Sequence, residues 1–239
     1  MDGNDLIASR PAAQPGERLS ALVTDWGPAL GNEAVGKMLD AGEFESLLAD
    51  TARAIENLFD VLGVDHVRDH NTRDTPSRVA KMLVCETLRG RYQEPPSLTE
   101  FQNAGRYGDL IVTGPIDVRS TCAHHLMPIY GTVCIGVIPA ADGKIIGLSK
   151  YDRVVDYFAS RLQIQEELIV QIGEFLMERT KPCGLALQMS AVHMCKTHRG
   201  VRAGHAAKMV SSAYYGTFCE NPTLKAEFVQ HCLSLQHRG

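Results

Sequence analysis

Residues 131–148 read GTVCIGVIPAADGKIIGL. Two apolar, β-branched runs, Gly131–Pro139 and Lys144–Leu148, flank the turn Ala141-Asp142-Gly143. Asp and Gly tolerate the backbone of a tight turn, so the two runs are expected to pair as an antiparallel hairpin. Upstream, Leu110–Thr113 and Ile116–Thr121 read as strand, parted by Gly114-Pro115. Downstream come two helices. Ser149 is placed to cap the first, with Val154, Val155, Phe158 and Leu162 inward. The second carries Leu168, Ile169, Ile172, Phe175 and Leu176, and Cys183-Gly184 ends it. Leu185–Met194 and Ala207–Phe218 then read as strands, and Asn221-Pro222 caps a last helix with Leu224, Phe228 and Leu235 on one face. Strands joined by hairpins around a two-helix insertion predict an α+β domain with an antiparallel sheet, not a doubly wound parallel one.

The N-terminal side is helical. Phe44, Leu47, Leu48, Ala52, Ile55, Leu58, Phe59 and Leu62 recur at helical spacing, and Gly63 stops that helix. A second helix is expected from the cap Thr75-Pro76 to Gly90, with Val79, Met82 and Leu83 inward. Residues 91–108 are polar, contain Pro95-Pro96 and read as loop. Residues 1–41 are rich in Ala, Gly and Pro and read as a flexible extension with a short helical piece, which leaves 42–239 as the folded domain.

With 239 residues, 24 basic and 28 acidic, the formal net charge is −4. One domain of this size can bury a core without disulfides. A weakly acidic chain is a poor general nucleic-acid binder. The apolar runs are too short to span a bilayer, and Met1–Arg10 lacks the order of a signal peptide, so no membrane role is expected. Seven cysteines without an export signal point to a reducing, cytoplasmic setting. Cys85, Cys134, Cys183, Cys219 and Cys232 lie among apolar neighbours and read as small buried hydrophobes.

The chemistry concentrates in Cys122-Ala123-His124-His125. A thiolate and an imidazole three positions apart, Cys122 and His125, can both reach one ion from a strand end, and that donor pair suits zinc. A third ligand is available from the strand ending Val192-His193-Met194-Cys195, where His193 and Cys195, two apart, are expected to point to one face. Three ligands leave one position open, the catalytic pattern, and an open zinc lowers the pKa of bound water toward roughly 7. His124 and His193 would remain for proton transfer. The same residues also fit two buried thiols and three bonded imidazoles on a sheet, and the spacing leaves both readings open.

A second group is cationic. Lys150 and Arg153 share a helical face in Ser149-Lys150-Tyr151-Asp152-Arg153, at a helix start that suits phosphate; a solvated basic face is the alternative. Arg199 and Arg202 follow Cys195. Gln165-Glu166-Glu167 opens the next helix, where a carboxylate can accept two hydrogen bonds from the N1 and N2 edge of guanine, or simply favour the helix dipole.

Four strings, DTPSRVAKML (74–83), STCAHHLMP (120–128), IGLSKYDRVVDYFASRLQIQEEL (146–168) and AVHMCKTHRGVR (191–202), together resemble GTP cyclohydrolase I, over about residues 43–236. The resemblance implies a tunnelling fold: a four-stranded antiparallel sheet with helices on one side. It also implies a homodecamer of two stacked pentameric rings with active sites between subunits. Matched residue by residue, Cys122, His125 and Cys195 are expected to bind Zn2+. His124 and His193 are expected to move protons, with Ser149 assisting the sugar rearrangement. Gln165 and Glu166 would hold the purine of GTP, and Lys150, Arg153 and Arg199, with Ser149, the ribose and triphosphate. The implied reaction hydrolyses C8 of GTP, releases formate and rearranges the ribose to give 7,8-dihydroneopterin triphosphate, the first step of pterin and folate biosynthesis. The chain departs from the family at Ala123, where Glu is usual. That change admits a variant outcome: a ring-opened formamidopyrimidine as product, or another purine nucleotide as substrate.

Overall fold

A computed structural model of the protein describes residues 30–35, 41–204 and 206–236. The expected flexible extension therefore lies largely outside the described residues. The chain divides into two compact units, one running to Cys85 apart from Gly31–Ala34, the other holding Gly31–Ala34 and the rest.

In the first unit, α1 (Ala41–Leu62) ends at Gly63, whose φ of +69° suits glycine. Helix α2 spans Thr75–Lys81. Its N-cap is Asp74 rather than Thr75, and Pro76 sits in the first turn, where its missing N–H costs nothing. The helix does not run on as α to Gly90. Met82–Thr87 widens to a π-helix, which advances the inward face, so Val84 is buried and Met82 is exposed.

The second unit starts with the one-turn helix α3 (Arg89–Tyr92). Gly90 sits inside this helix. A Cβ there would lie 2.0 Å from the Tyr157 carbonyl oxygen, so close packing explains the glycine, not helix termination. The strands are β1 (Glu100–Gln102), β2 (Ile111–Cys122), β3 (Pro128–Ile138), β4 (Lys144–Ile146), β5 (Leu162–Gln163), β6 (Gly184–His193) and β7 (Lys208–Gly216). The helices are α4 (Leu148–Ala159), α5 (Gln165–Thr180), the short α6 (Met194–Thr197) and α7 (Thr217–Glu220), and α8 (Pro222–Gln236).

The main sheet has the order β5-β2-β3-β6-β7. Its four long strands are antiparallel, as expected; β5 adds a two-residue parallel pairing, Thr121 with Leu162 and Cys122 with Gln163. The expected hairpin of 131–139 with 144–148 does not form. Strand β3 has β2 on one edge and β6 on the other, so no edge is left for β4. Strand β4 instead pairs with β1, Phe101 opposite Ile145, inside the segment read as loop.

Strand β2 bulges between Thr113 and Ile116. The bulge changes which face later residues serve: Val112 packs with the cluster around Phe228, whereas Ile116 and Val118 join the core beneath α4 and α5. That larger core takes Val133, Ile135, Val137, Leu185, Leu187 and Met189 from one sheet face, and Val154, Val155, Leu168, Ile172 and Leu176 from the helices. These two long helices thus cover one side. Helix α8 goes beyond the expectation and packs on the other side, where a Cβ at Gly136 would meet Phe228 at 2.6 Å. Asn221 caps α8 as expected, its side-chain oxygen accepting from the Leu224 amide at 3.0 Å. Cys134 and Cys232 are buried there, but Cys183 and Cys219 are exposed, against the expectation for them.

Candidate metal centre and active site

The centre forms where β2 turns into β3. The Leu126 amide donates to the Cys122 carbonyl at 2.9 Å, and the Cys122 amide to the Met127 carbonyl at 2.8 Å. This single helix-like turn puts Cys122 and His125 on one side, since residues three apart in such a turn are neighbours. Strand β3 carries the chain back beside β6, with Ile129 opposite His193. The strand ends there. Cys195 stands on the helical turn α6, not on a continuing strand, so the shared strand face expected for His193 and Cys195 does not exist. The helical turn nevertheless returns Cys195 to Cys122.

The ligand atoms of Cys122, His125 and Cys195 all lie within 4.8 Å of one another. Zinc bonds of about 2.0–2.3 Å in a tetrahedron put ligand atoms roughly 3.3–3.8 Å apart, so this triangle closes on zinc with small side-chain shifts. Two sulfurs and one imidazole, the first sulfur buried and the His exposed, are a donor set that fits that metal with one face open. Burial, then the neighbouring Cys122, push the Cys195 thiol above its ordinary pKa; a divalent cation would reverse that balance. His124 is exposed beside the triangle, its Nδ1 4.0 Å from the Cys122 sulfur. Arg199 donates from Nη1 to His125 Nε2 at 3.0 Å. Arg202 is exposed and has a left-handed backbone, φ +47°.

The Gln165 side chain is fully buried and bonds within the protein. Its Nε2 donates to the Ser211 hydroxyl (2.9 Å) and to the carbonyls of Met209 (3.2 Å) and Met189 (3.3 Å). With the NH2 spent on acceptors, the carboxamide oxygen must be the atom facing His193 Nε2, 2.8 Å away. His193 therefore carries its proton on Nε2 and keeps Nδ1 as the acceptor when neutral. Burial lowers the His193 pKa, with Glu166 opposing and Lys196 adding to the effect. Sequence reading missed this contact because helix periodicity cannot show that a Gln at a helix start is walled in by two strands.

Glu166 is exposed in the first turn of α5, next to Gln165. Ser149, Lys150 and Arg153 stand apart. The N-cap of α4 is Gly147, not Ser149. The C-terminal end of α4 leads into β5, which pairs with Thr121 and Cys122 at the metal end of the sheet. At a rise of 1.5 Å per residue, Ser149 lies about 15 Å back along the helix. Arg153 lines a cavity of about 470 Å³ with Ile116, Asp117, Arg119, Asp152 and Asp156.

The sequence pattern of GTP cyclohydrolase I matches residues 51–233. The chain belongs to the GTP cyclohydrolase I family. GTP cyclohydrolase 1 of Thermobifida fusca is 39% identical over 175 residues, 73% of this chain and 83% of that protein. The Streptomyces griseus protein of that name is 40% identical over 187 residues, 78% of this chain and 90% of its own. That of Dehalococcoides mccartyi (strain BAV1) is 34% identical over 187 residues, 78% and 96%. Family membership draws the three-ligand triangle, the two extra histidines and the α4 cations into one functional question. Ala123, where the family resemblance expects Glu, is exposed, and its amide donates to the Gln163 carbonyl at 3.0 Å. None of the helices among the described residues is long and apolar enough to cross a membrane.

Proposed function

We propose that this protein is a zinc-dependent GTP cyclohydrolase that converts GTP to 7,8-dihydroneopterin triphosphate and formate. The observation that carries the reading is the Cys122–His125–Cys195 triangle beside a histidine whose tautomer is set by a buried amide. Zinc held there supplies Lewis acidity, which makes attack by water feasible near neutral pH. The Glu166 carboxylate accepts from guanine N1–H and N2–H and orients C8 toward the metal. His193 and His124 deliver and remove protons as the imidazole ring opens and formate leaves. Ser149 serves the sugar rearrangement. Lys150, Arg153 and Arg199 hold the ribose triphosphate, whose binding energy positions the reacting base.

These residues form one site only if chains combine. Lys150 and Arg153 lie about 14 and 9 Å along α4 from its C-terminal end. Among the described residues, the outer edges of β7 and of β2 up to Ser120 lack strand partners, and such edges are open to pairing with another chain. Both features support a ring assembly with sites between subunits, in a homodecamer of two pentamers. All seven cysteines are free thiols, which supports a reducing, cytoplasmic setting. The product suits the start of pterin and folate biosynthesis.

The test is incubation of zinc-loaded protein with GTP while formate and the pterin chromophore are followed together. Both should appear in equal amounts. GTP consumed without formate would move the product to a ring-opened formamidopyrimidine, the outcome that Ala123 admits. GTP left intact would overturn the reading.

A further inference from the structure

Arg161 is a buried cation, 5% exposed, just beyond α4. Its guanidinium lies over the rings of Tyr157 and Phe158, at 4.4 and 4.7 Å from their centroids. It donates from Nε to the Gly90 carbonyl at 3.1 Å and from Nη1 to the Asn32 carbonyl at 2.8 Å. Burial lowers its pKa. A guanidinium out of water needs acceptors, and here a four-residue segment far away in sequence, Gly31–Ala34, provides one of them. Arg91 grips the same segment, donating from Nη1 to the carbonyls of Gly31 (3.0 Å) and Glu33 (3.2 Å). Gly31 packs so closely that a Cβ would lie 3.1 Å from the Leu162 Cβ.

The segment is thus a strap, and its one inward side chain has a specific target. Asn32 is 7% exposed, and its Nδ2 donates to Glu167 Oε2 at 2.5 Å. A hydrogen bond to a carboxylate is of the charge-assisted kind. Glu167 lies in the first turn of α5, beside Glu166 and Gln165.

We propose that Asn32 is a positioning residue: through Glu167 it holds the first turn of α5, and with it the purine-binding Glu166 and the Gln165 that orients His193. The proposal rests on the reading of Glu166 as the purine anchor. The backbone carbonyls given to Arg161 and Arg91 hold Asn32 at its post.

The test exchanges donor and acceptor. Asn32→Asp sets two carboxylates against each other. Asn32→Asp combined with Glu167→Gln restores the bond with its direction reversed. In the single variant, KM for GTP should rise about tenfold while kcat changes far less, the pattern of a displaced binding group. The double variant should return to within about twofold of the parent. Amide exchange of peptides covering residues 165–168, where the Leu168 amide bonds the Ile164 carbonyl at 3.0 Å, should speed up in the single variant and recover in the double. If Asn32→Asp does not fold, Glu167→Ala, on an exposed position, carries the same expectation for KM and exchange. A parent-like KM and exchange rate in Asn32→Asp would overturn the proposal, as would damage that the double variant fails to repair. If the parent does not turn over GTP, the functional reading falls by itself, and the exchange pattern alone then decides for or against the strap.

Discussion

The two ends of helix α4 show how differently one chain can assemble functional residues. Beyond its C-terminal end, β5 pairs with the end of β2, and Cys122, His125, Cys195, His193 and Gln165 meet within one chain. At its N-terminal end stand Ser149 and Lys150, with Arg153 a turn further on, among residues of mid-β2. The first group comes together because the ends of β2 and β6, the turn after β2 and the starts of α5 and α6 meet at one end of the sheet. The second has cations at the other end of the helix, and the proposed function brings them to the same chemistry from a second chain. Contacts within one chain build the metal end, and the proposed assembly would supply the rest.

The sharpest way to break this comparison is at the metal end. Cys122→Ser removes one of the three candidate ligands found among the described residues. Bound zinc, measured by elemental analysis, should fall to near background, and GTP turnover should drop by roughly a thousandfold or more. Retained zinc with full turnover would show that the triangle is not the reactive centre. The next largest effect is expected from mixing. Chains carrying Cys122→Ser or Arg153→Ala should each be nearly inactive, whereas co-expressed mixtures should regain about a quarter of parental activity. That fraction follows from random assembly when one site draws the two residues from different subunits. Mixtures as inactive as their parents would place both residues of a site in one chain. A smaller effect tests the support of His193. Gln165→Leu should lower kcat about 10- to 100-fold, with zinc content and KM for GTP close to the parent, because the histidine loses its fixed tautomer but the metal and purine contacts remain. An unchanged kcat would remove Gln165 from the mechanism.

Much of the architecture was legible in the residues. The alternation of Leu185, Leu187 and Met189 marked a strand with one face to the core, and Asn221-Pro222 marked a helix start whose cap bond is present. Cys122 and His125 were legible as a ligand pair because both lie in one turn, where spacing alone sets geometry. The errors have a common cause. The turn 141–143 is real, with the Gly143 amide on the Ala140 carbonyl at 2.9 Å, yet it joins no hairpin because longer strands already hold both edges of β3. Met82 was expected inside, but a π-helical segment shifts the phase at that residue. Cys195 looked like a strand residue because the apolar alternation runs up to it, although the chain turns helical at Met194. Gln165 joins the purine group only through its match to the family beside Glu166, and the residues could not show that two strand carbonyls and a serine hydroxyl bond its amide inside.

Local order came from the residues themselves: the helical and strand repeats, the glycine stop after α1, the asparagine cap of α8 and the Cys-x-x-His ligand turn. These depend on contacts within a few positions, and side-chain periodicity reports such contacts directly. Partnership came only from the tertiary structure: which strands flank β3, that β4 joins β1, that Asn32 reaches Glu167, and that Gln165 turns inward to His193. Those outcomes depend on competition for strand edges and on acceptors supplied across 135 positions in the case of Asn32 and Glu167, and no local repeat encodes such a distance.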